Sequence, residues 1–241
     1  MQGFIPMHDF GRIVYMDMQK TGSTFVSEFL RFSCKLPERN FQKHAPIGDD
    51  YRPDAWYFIT VRHPMTLYSS LYRYGLDRKG GIFKRLQAAN LLSVYASFER
   101  FVDFLLNPRN ALFLDNAYSS EIASTVGFMS YRYLLLNLQK PRHQIARAVQ
   151  LKHSVPDLIR HSFVKRVFKN ETLNHDLLSL STEMFPDIFD QRRARDFLLR
   201  STPINQSKLP ASLLDLKSTT MRNALEEKER ILMLHYAPAG A

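Results

Sequence analysis

The chain has 241 residues, 45% of them hydrophobic, enough for one substantial core and, by default, one domain. Its 33 Lys and Arg against 23 Asp and Glu give a net charge of +10, so it attracts polyanions; composition does not choose among an anionic nucleotide, a charged glycan, nucleic acid and anionic lipid. The single cysteine, Cys34, excludes an intramolecular disulfide framework and fits a reducing compartment, and the eight histidines form no HxH or HxxxH pair, so no metal is expected.

Residues 1–11 read as an N-terminal extension. They lack the apolar run of a signal peptide, and no stretch of roughly eighteen apolar residues occurs anywhere, so a soluble, cytoplasmic protein without a transmembrane segment is expected. Ile13, Val14 and Tyr15 have the β-branched and aromatic character of a buried strand. The turn Gln19-Lys20-Thr21-Gly22-Ser23-Thr24 follows, and then Val26, Phe29 and Leu30 recur at helical spacing. The turn therefore sits at a helix N-terminus, where unpaired N–H groups and the positive dipole end attract an anion such as phosphate. It is not a Walker A loop, because Lys20 precedes Gly22 and no earlier glycine closes the turn.

Lys35 to Asp54 is a polar connection broken by Pro37, Pro46, Gly48 and Pro53, and it contains His44. Trp56 to Val61 reads as a second buried strand ending at Arg62, and Pro64 opens a helix with Leu67, Leu71 and Tyr74 on its apolar face. Arg62 and Ser70, at the strand end and two turns into the helix, can converge on one phosphate. The basic run from Arg73 to Arg85 reads as a mobile, solvated face. Phe98, Phe101, Val102, Leu105 and Leu106 form a helical stripe capped by Ser97 and ended by Asn107-Pro108. Ser162 to Phe168 reads as a further strand leading into a helix marked by Leu173, Leu177 and Leu180, with Thr172 or Asn174 as its cap. A final helix carries Leu225, Ile231, Leu232 and Tyr236 with Glu226 and Arg230 as an i, i+4 pair, and residues 237–241 form a frayed tail.

Lys20-Thr21-Gly22-Ser23-Thr24, together with Arg62, Pro64 and Ser70 at their spacing, resembles the PAPS-dependent sulfotransferase family, in its bacterial and carbohydrate-type branch. The resemblance implies an α/β fold: a single domain with a mainly parallel β-sheet flanked by helices, P-loop-like. It implies that the loop binds the 5′-phosphosulfate of 3′-phosphoadenosine 5′-phosphosulfate (PAPS), and that Arg62 and Ser70 bind its 3′-phosphate, with Ser207 and Lys208 as secondary contacts. The implied reaction is in-line sulfuryl transfer to an acceptor hydroxyl, on a glycan by preference, leaving adenosine 3′,5′-bisphosphate (PAP). Lys20 stabilises the developing charge and His44 is the candidate base, with Glu28 as competitor. No nucleic-acid partner is expected. Two readings from other classes stay open: a P-loop-like kinase, and a non-catalytic polyanion-binding protein.

Overall fold

The computed structural model describes residues 8–41, 47, 51–151, 155–200 and 216–237. The chain divides into two compact units: Met1–Arg62, Leu135–Pro141 and His161–Gln206 in the first, and His63–Leu134, Arg142–Arg160 and Ser207–Ala241 in the second.

The first unit is built on a mixed sheet. In chain order its elements are β1 (His8–Asp9), β2 (Ile13–Met16), helix α1 (Ser23–Ser33), β3 (Asn40–Phe41) and β4 (Trp56–Val61). The strand order is β3-β1-β2-β4-β5, where β5 (Arg166–Lys169) comes much later in the chain. β2, β4 and β5 run parallel, with Ile13 opposite Trp56 and Phe58 opposite Arg166, while β1 is antiparallel to both β2 and β3. The α/β class and a parallel core of three strands are thus as the resemblance implies, while the antiparallel β1 and β3 make the sheet mixed rather than mainly parallel. The N-terminal extension is not wholly outside the fold, because His8 and Asp9 pair with Tyr15 and Val14 across a tight hairpin. Gly11 permits that hairpin with φ +82°, and Asp9 Oδ1 accepts from its N–H at 2.6 Å.

Strand alternation decides the packing. Ile13, Tyr15, Phe58 and Phe168 join one cluster with Val26, Phe29 and Leu30 of α1 and with Leu173, Leu177 and Ala194. The last three belong to helices that follow β5, here labelled α9 (Leu173–Ser179) and α10 (Gln191–Arg200). The alternate residues Val14, Met16, Tyr57, Ile59 and Val61 are buried as well, as expected for parallel strands covered on both faces. β5 starts at Arg166 rather than at Ser162; ahead of it, Phe163 N–H donates to Asn137 O and Lys165 N–H to Tyr57 O. Thr172 occupies the N-cap position of α9, but its hydroxyl donates to Asp176 rather than capping an N–H. Cys34 is half-buried, and burial pushes its thiol up, away from the reactive thiolate.

The second unit is helical. α2 (Pro64–Leu76) begins with Pro64 at its first position, and the His63 ring Nδ1 accepts from Met65 N–H at 3.3 Å. Its buried face is Leu67, Tyr68, Leu71, Tyr72 and Gly75, whereas Tyr74 is exposed and packs over Gly80. Gly80, at φ +89°, starts α3 (Gly80–Ala88), so part of the basic run expected to be mobile is an ordered helix. Phe83 and Leu86 bury that helix's inner face. α4 (Phe98–Leu106) carries the predicted stripe and the predicted cap: Ser97 Oγ accepts from Arg100 N–H at 3.1 Å. Three elements follow in order: α5 (Ala111–Leu114), α6 (Ser120–Thr125) and α7 (Phe128–Asn137). Pro141 opens α8 (Pro141–Gln150). The unit closes with α11 (Thr219–Lys228) and α12 (Arg230–Met233).

The predicted final helix is divided at Glu229, which is fully buried. The Glu229 carboxylate accepts from Tyr68 OH at 2.5 Å, Met129 N–H at 3.1 Å and Ser130 N–H at 2.6 Å, so it caps the N-terminus of α7 from a distant part of the chain. Any side chain at Gly127 would collide with this carboxylate. Burial pushes the Glu229 carboxyl up from its ordinary value, against the pull of these donors.

Candidate anion-binding loop

The loop from Gln19 to Thr24 leaves the C-terminal end of β2 and enters α1. Its shape depends on two residues in the left-handed region, Lys20 at φ +66° and Gly22 at φ +94°. For a lysine this conformation is strained, and such strain concentrates at functional sites. Gly22 is the N-cap of α1 and has no side chain to satisfy the first N–H groups. Val26 is the first residue whose N–H finds an acceptor in the helix, Gly22 O at 3.1 Å. The N–H groups of Ser23, Thr24 and Phe25 therefore face outward, and no acidic residue stands in the first turn to compete for them.

The underside of the loop is fixed by neutral hydroxyls. Thr21 is fully buried; its Oγ1 donates to Met18 O at 2.7 Å and lies 2.6 Å from Thr60 Oγ1, which is in turn 2.7 Å from Tyr15 OH. Burial raises the Tyr15 phenol well above its ordinary value, so it stays a neutral member of this chain. The Thr21 hydroxyl, expected to contact a phosphate, is thus turned into the protein, and Thr21 acts as an anchor that presents its backbone outward. A second clamp comes from the turn after β5: Asn170 Nδ2 donates to Thr21 O at 3.1 Å. A Cβ at Gly22 would stand 2.8 Å from that same Nδ2 and 2.9 Å from Leu173 Cδ2, so glycine is required there by space as well as by φ.

Arg62 follows the last residue of β4 and is half-buried. Because β4 lies parallel and adjacent to β2, with Met16 opposite Ile59, Arg62 and the loop leave the sheet at the same end. The first unit therefore gathers Lys20, Thr21, Gly22, Ser23, Thr24 and Arg62 along the C-terminal strand ends, the usual ligand edge of an α/β sheet. Ser70 lies on α2 in the second unit and is half-buried. Glu28 is exposed on α1. His44, Ser207 and Lys208 lie outside the described residues.

Three residues that hold the loop, Thr60, Tyr15 and Asn170, are not assigned to the site from sequence. Thr60 is visible as the lone hydroxyl in the strand WYFITV, whereas Tyr15 reads only as a strand residue: its register partner is Phe58, and its OH reaches Thr60 diagonally. Asp17, buried between two methionines directly before the loop, was visible as an isolated acid in an apolar run. Asn170 gave no local signal, because its role depends on a contact across 149 positions. Among the described residues no group of three or more His, Cys, Asp or Glu could hold a metal ion. No helix among them is long and apolar enough to cross a membrane. Comparison of the chain with protein-family models, curated proteins and solved structures finds no match.

Proposed function

We propose that the chain is a sulfotransferase that uses PAPS and transfers its sulfuryl group to an acceptor hydroxyl, with a glycan as the preferred acceptor class. One observation carries the reading: two adjacent parallel strands end, at one edge, in an uncapped helix N-terminus with a strained lysine and in a half-buried arginine. That pairing suits a ligand with two separated anionic groups. PAPS supplies the activated sulfuryl group. The N–H groups of Ser23 and Thr24 with Lys20 hold the 5′ end and stabilise charge as it grows on the transferring oxygens. Arg62 holds the 3′-phosphate; by the family resemblance Ser70 is assigned to the same group, and Ser207 and Lys208 are secondary contacts to the 3′-phosphate or the adenine. His44 removes the acceptor proton, with Glu28 as the alternative base.

The test is thermal stability with adenosine 3′,5′-bisphosphate, with ADP and AMP as controls. At about a hundred times its dissociation constant the bisphosphate adds roughly 2.7 kcal/mol, and Arg62→Ala removes the effect. Lys20→Ala lowers turnover more than it weakens bisphosphate binding; normal turnover in that variant overturns the mechanism. A second reading, magnesium-dependent phosphoryl transfer, draws on Asp17, a buried carboxylate directly before the loop. Equal stabilisation by ADP together with turnover that requires magnesium favours it. The polyanion-binding reading, which needs only the +10 charge, is favoured by steeply salt-dependent heparin binding without any bisphosphate effect.

A further inference from the structure

Behind the first turn of α1 lies a row of hydrogen-bonding groups that the proposed transfer does not use. His8, on β1, is fully buried and stacked on Tyr15. Its Nδ1 is 2.5 Å from Glu38 Oε1, and its Nε2 is 2.9 Å from Ser27 Oγ. Ser27 Oγ also lies 2.6 Å from Ser23 O, one turn back, and Glu38 Oε2 accepts from Arg31 Nε at 2.7 Å. The order serine, histidine, carboxylate is that of a hydrolytic triad. Ser27 nevertheless sits in mid-helix, where the neighbouring N–H groups are spent on the helix ladder and no oxyanion hole can form beside it.

Counting hydrogens gives the row another use. Three contacts in succession need three hydrogens. Although burial works against it, the bonds from Arg31 and His8 hold the Glu38 carboxyl below its ordinary value, so Glu38 is an acceptor and Nδ1 carries a hydrogen. If Nε2 is bare, the Ser27 hydroxyl must turn to it and leave Ser23 O. If Nε2 is protonated, it donates to Ser27, whose own hydrogen stays on Ser23 O. A bond to that carbonyl polarises the Ser23–Thr24 peptide, and the N–H of this peptide is one of the uncapped donors of the loop.

We propose that His8 is a proton-operated positioning residue for the loop: doubly protonated, it holds Ser27 on the Ser23 carbonyl, and the loop then binds its anion more tightly. The proposal rests on the loop being an anion site and not on the identity of the sulfuryl donor. The groups facing His8 are Glu38 after α1, Arg31 and Ser27 on α1, and Tyr15 and Asp17 on or beside β2; β1 pairs in register with β3 at His8 and Phe41. Burial pushes the imidazole down and Glu38 pulls it back up, so the change falls on the acid side of neutrality.

Inorganic sulfate is the probe, because it keeps its charge between about pH 5 and pH 8, the range in which histidine titrates. Binding is read by NMR at the amides of Ser23 and Thr24 in the full chain. Wild type binds sulfate about fivefold more tightly at the acid end, the worth of one hydrogen bond. Ser27→Ala still binds but reduces that ratio to about twofold or less, the remainder being the field of the imidazolium. An unchanged ratio in Ser27→Ala, or equal wild-type affinity at both ends, overturns the proposal and leaves the loop reading standing. Absence of any response at those amides overturns both. A ligand-free measurement covers a poorly folded variant: in wild type the Ser23 carbonyl carbon titrates with the same midpoint as the His8 ring, and independent midpoints overturn the coupling. Covalent labelling of Ser27 by a fluorophosphonate also overturns it, in favour of a nucleophilic serine.

Discussion

Each unit buries a polar network, and the two are built on opposite terms. In the first, Tyr15, Thr60 and Thr21 form a chain of neutral hydroxyls under the loop, each link a bond between groups that cost little to desolvate. In the second, the Glu229 carboxylate is fully buried and accepts from three donors, one of them a side chain and two at a helix N-terminus. A neutral chain loses its links one at a time. A buried carboxylate holds all of its partners at once, so its removal orphans every one of them.

The sharpest way to break this comparison is Glu229→Ala, which strands Tyr68 OH and two buried N–H groups and costs about 4 kcal/mol in urea unfolding, at the severe end for a point change. A cost similar to that of a hydroxyl deletion in the other unit would remove the distinction. Gly22→Ala comes next. A Cβ there meets Asn170 Nδ2 and Leu173 Cδ2 in a left-handed residue, and the expected loss is about 2 kcal/mol, with bisphosphate stabilisation lost as well because the loop must shift. Thr60→Val keeps the shape of the side chain and cuts the middle of the hydroxyl chain, for about 1 kcal/mol.

The smallest effect is one of sign. Glu229 is raised above 4.5, mainly by burial, so the stability it contributes is full below that value and declines as pH rises through its folded value. His8 is lowered from 6.5, again mainly by burial, so its contribution is full above 6.5 and declines as pH falls through its folded value. Acidification from neutrality therefore loosens the sheet around His8 and tightens the helices around Glu229. Hydrogen exchange at two pH values, corrected for intrinsic rates, reads this opposition segment by segment; parallel changes in both would contradict it.

What the sequence disclosed follows the range of the interactions involved. β4 and α4 were legible because their signals are local: an aromatic and β-branched run in one, and a stripe with its own serine cap in the other. The loop was legible as a helix start with a glycine and a lysine. The inward turn of Thr21 was not, since it is set by Thr60, which is 39 positions away. The break at Glu229 was hidden for the same reason. Glu226 and Arg230 have the spacing of a helical pair, but the chain gives up that regularity so that Glu229 can reach α7. His8 and Asp9 are too short a run to announce a strand, and only the hairpin at Gly11 aligns them with β2.

The sheet order has a consequence for synthesis. β2 and β4 are made early and can pair as soon as Val61 has left the ribosome, but β5, which covers the other edge of β4, begins at Arg166. About a hundred residues must be translated in between, which takes on the order of ten seconds. For that interval the nascent chain carries WYFITV, an uncharged aromatic and β-branched segment, with one edge open. Yield in a host should therefore depend on how fast the ribosome reaches β5 and on which chaperones guard that edge meanwhile.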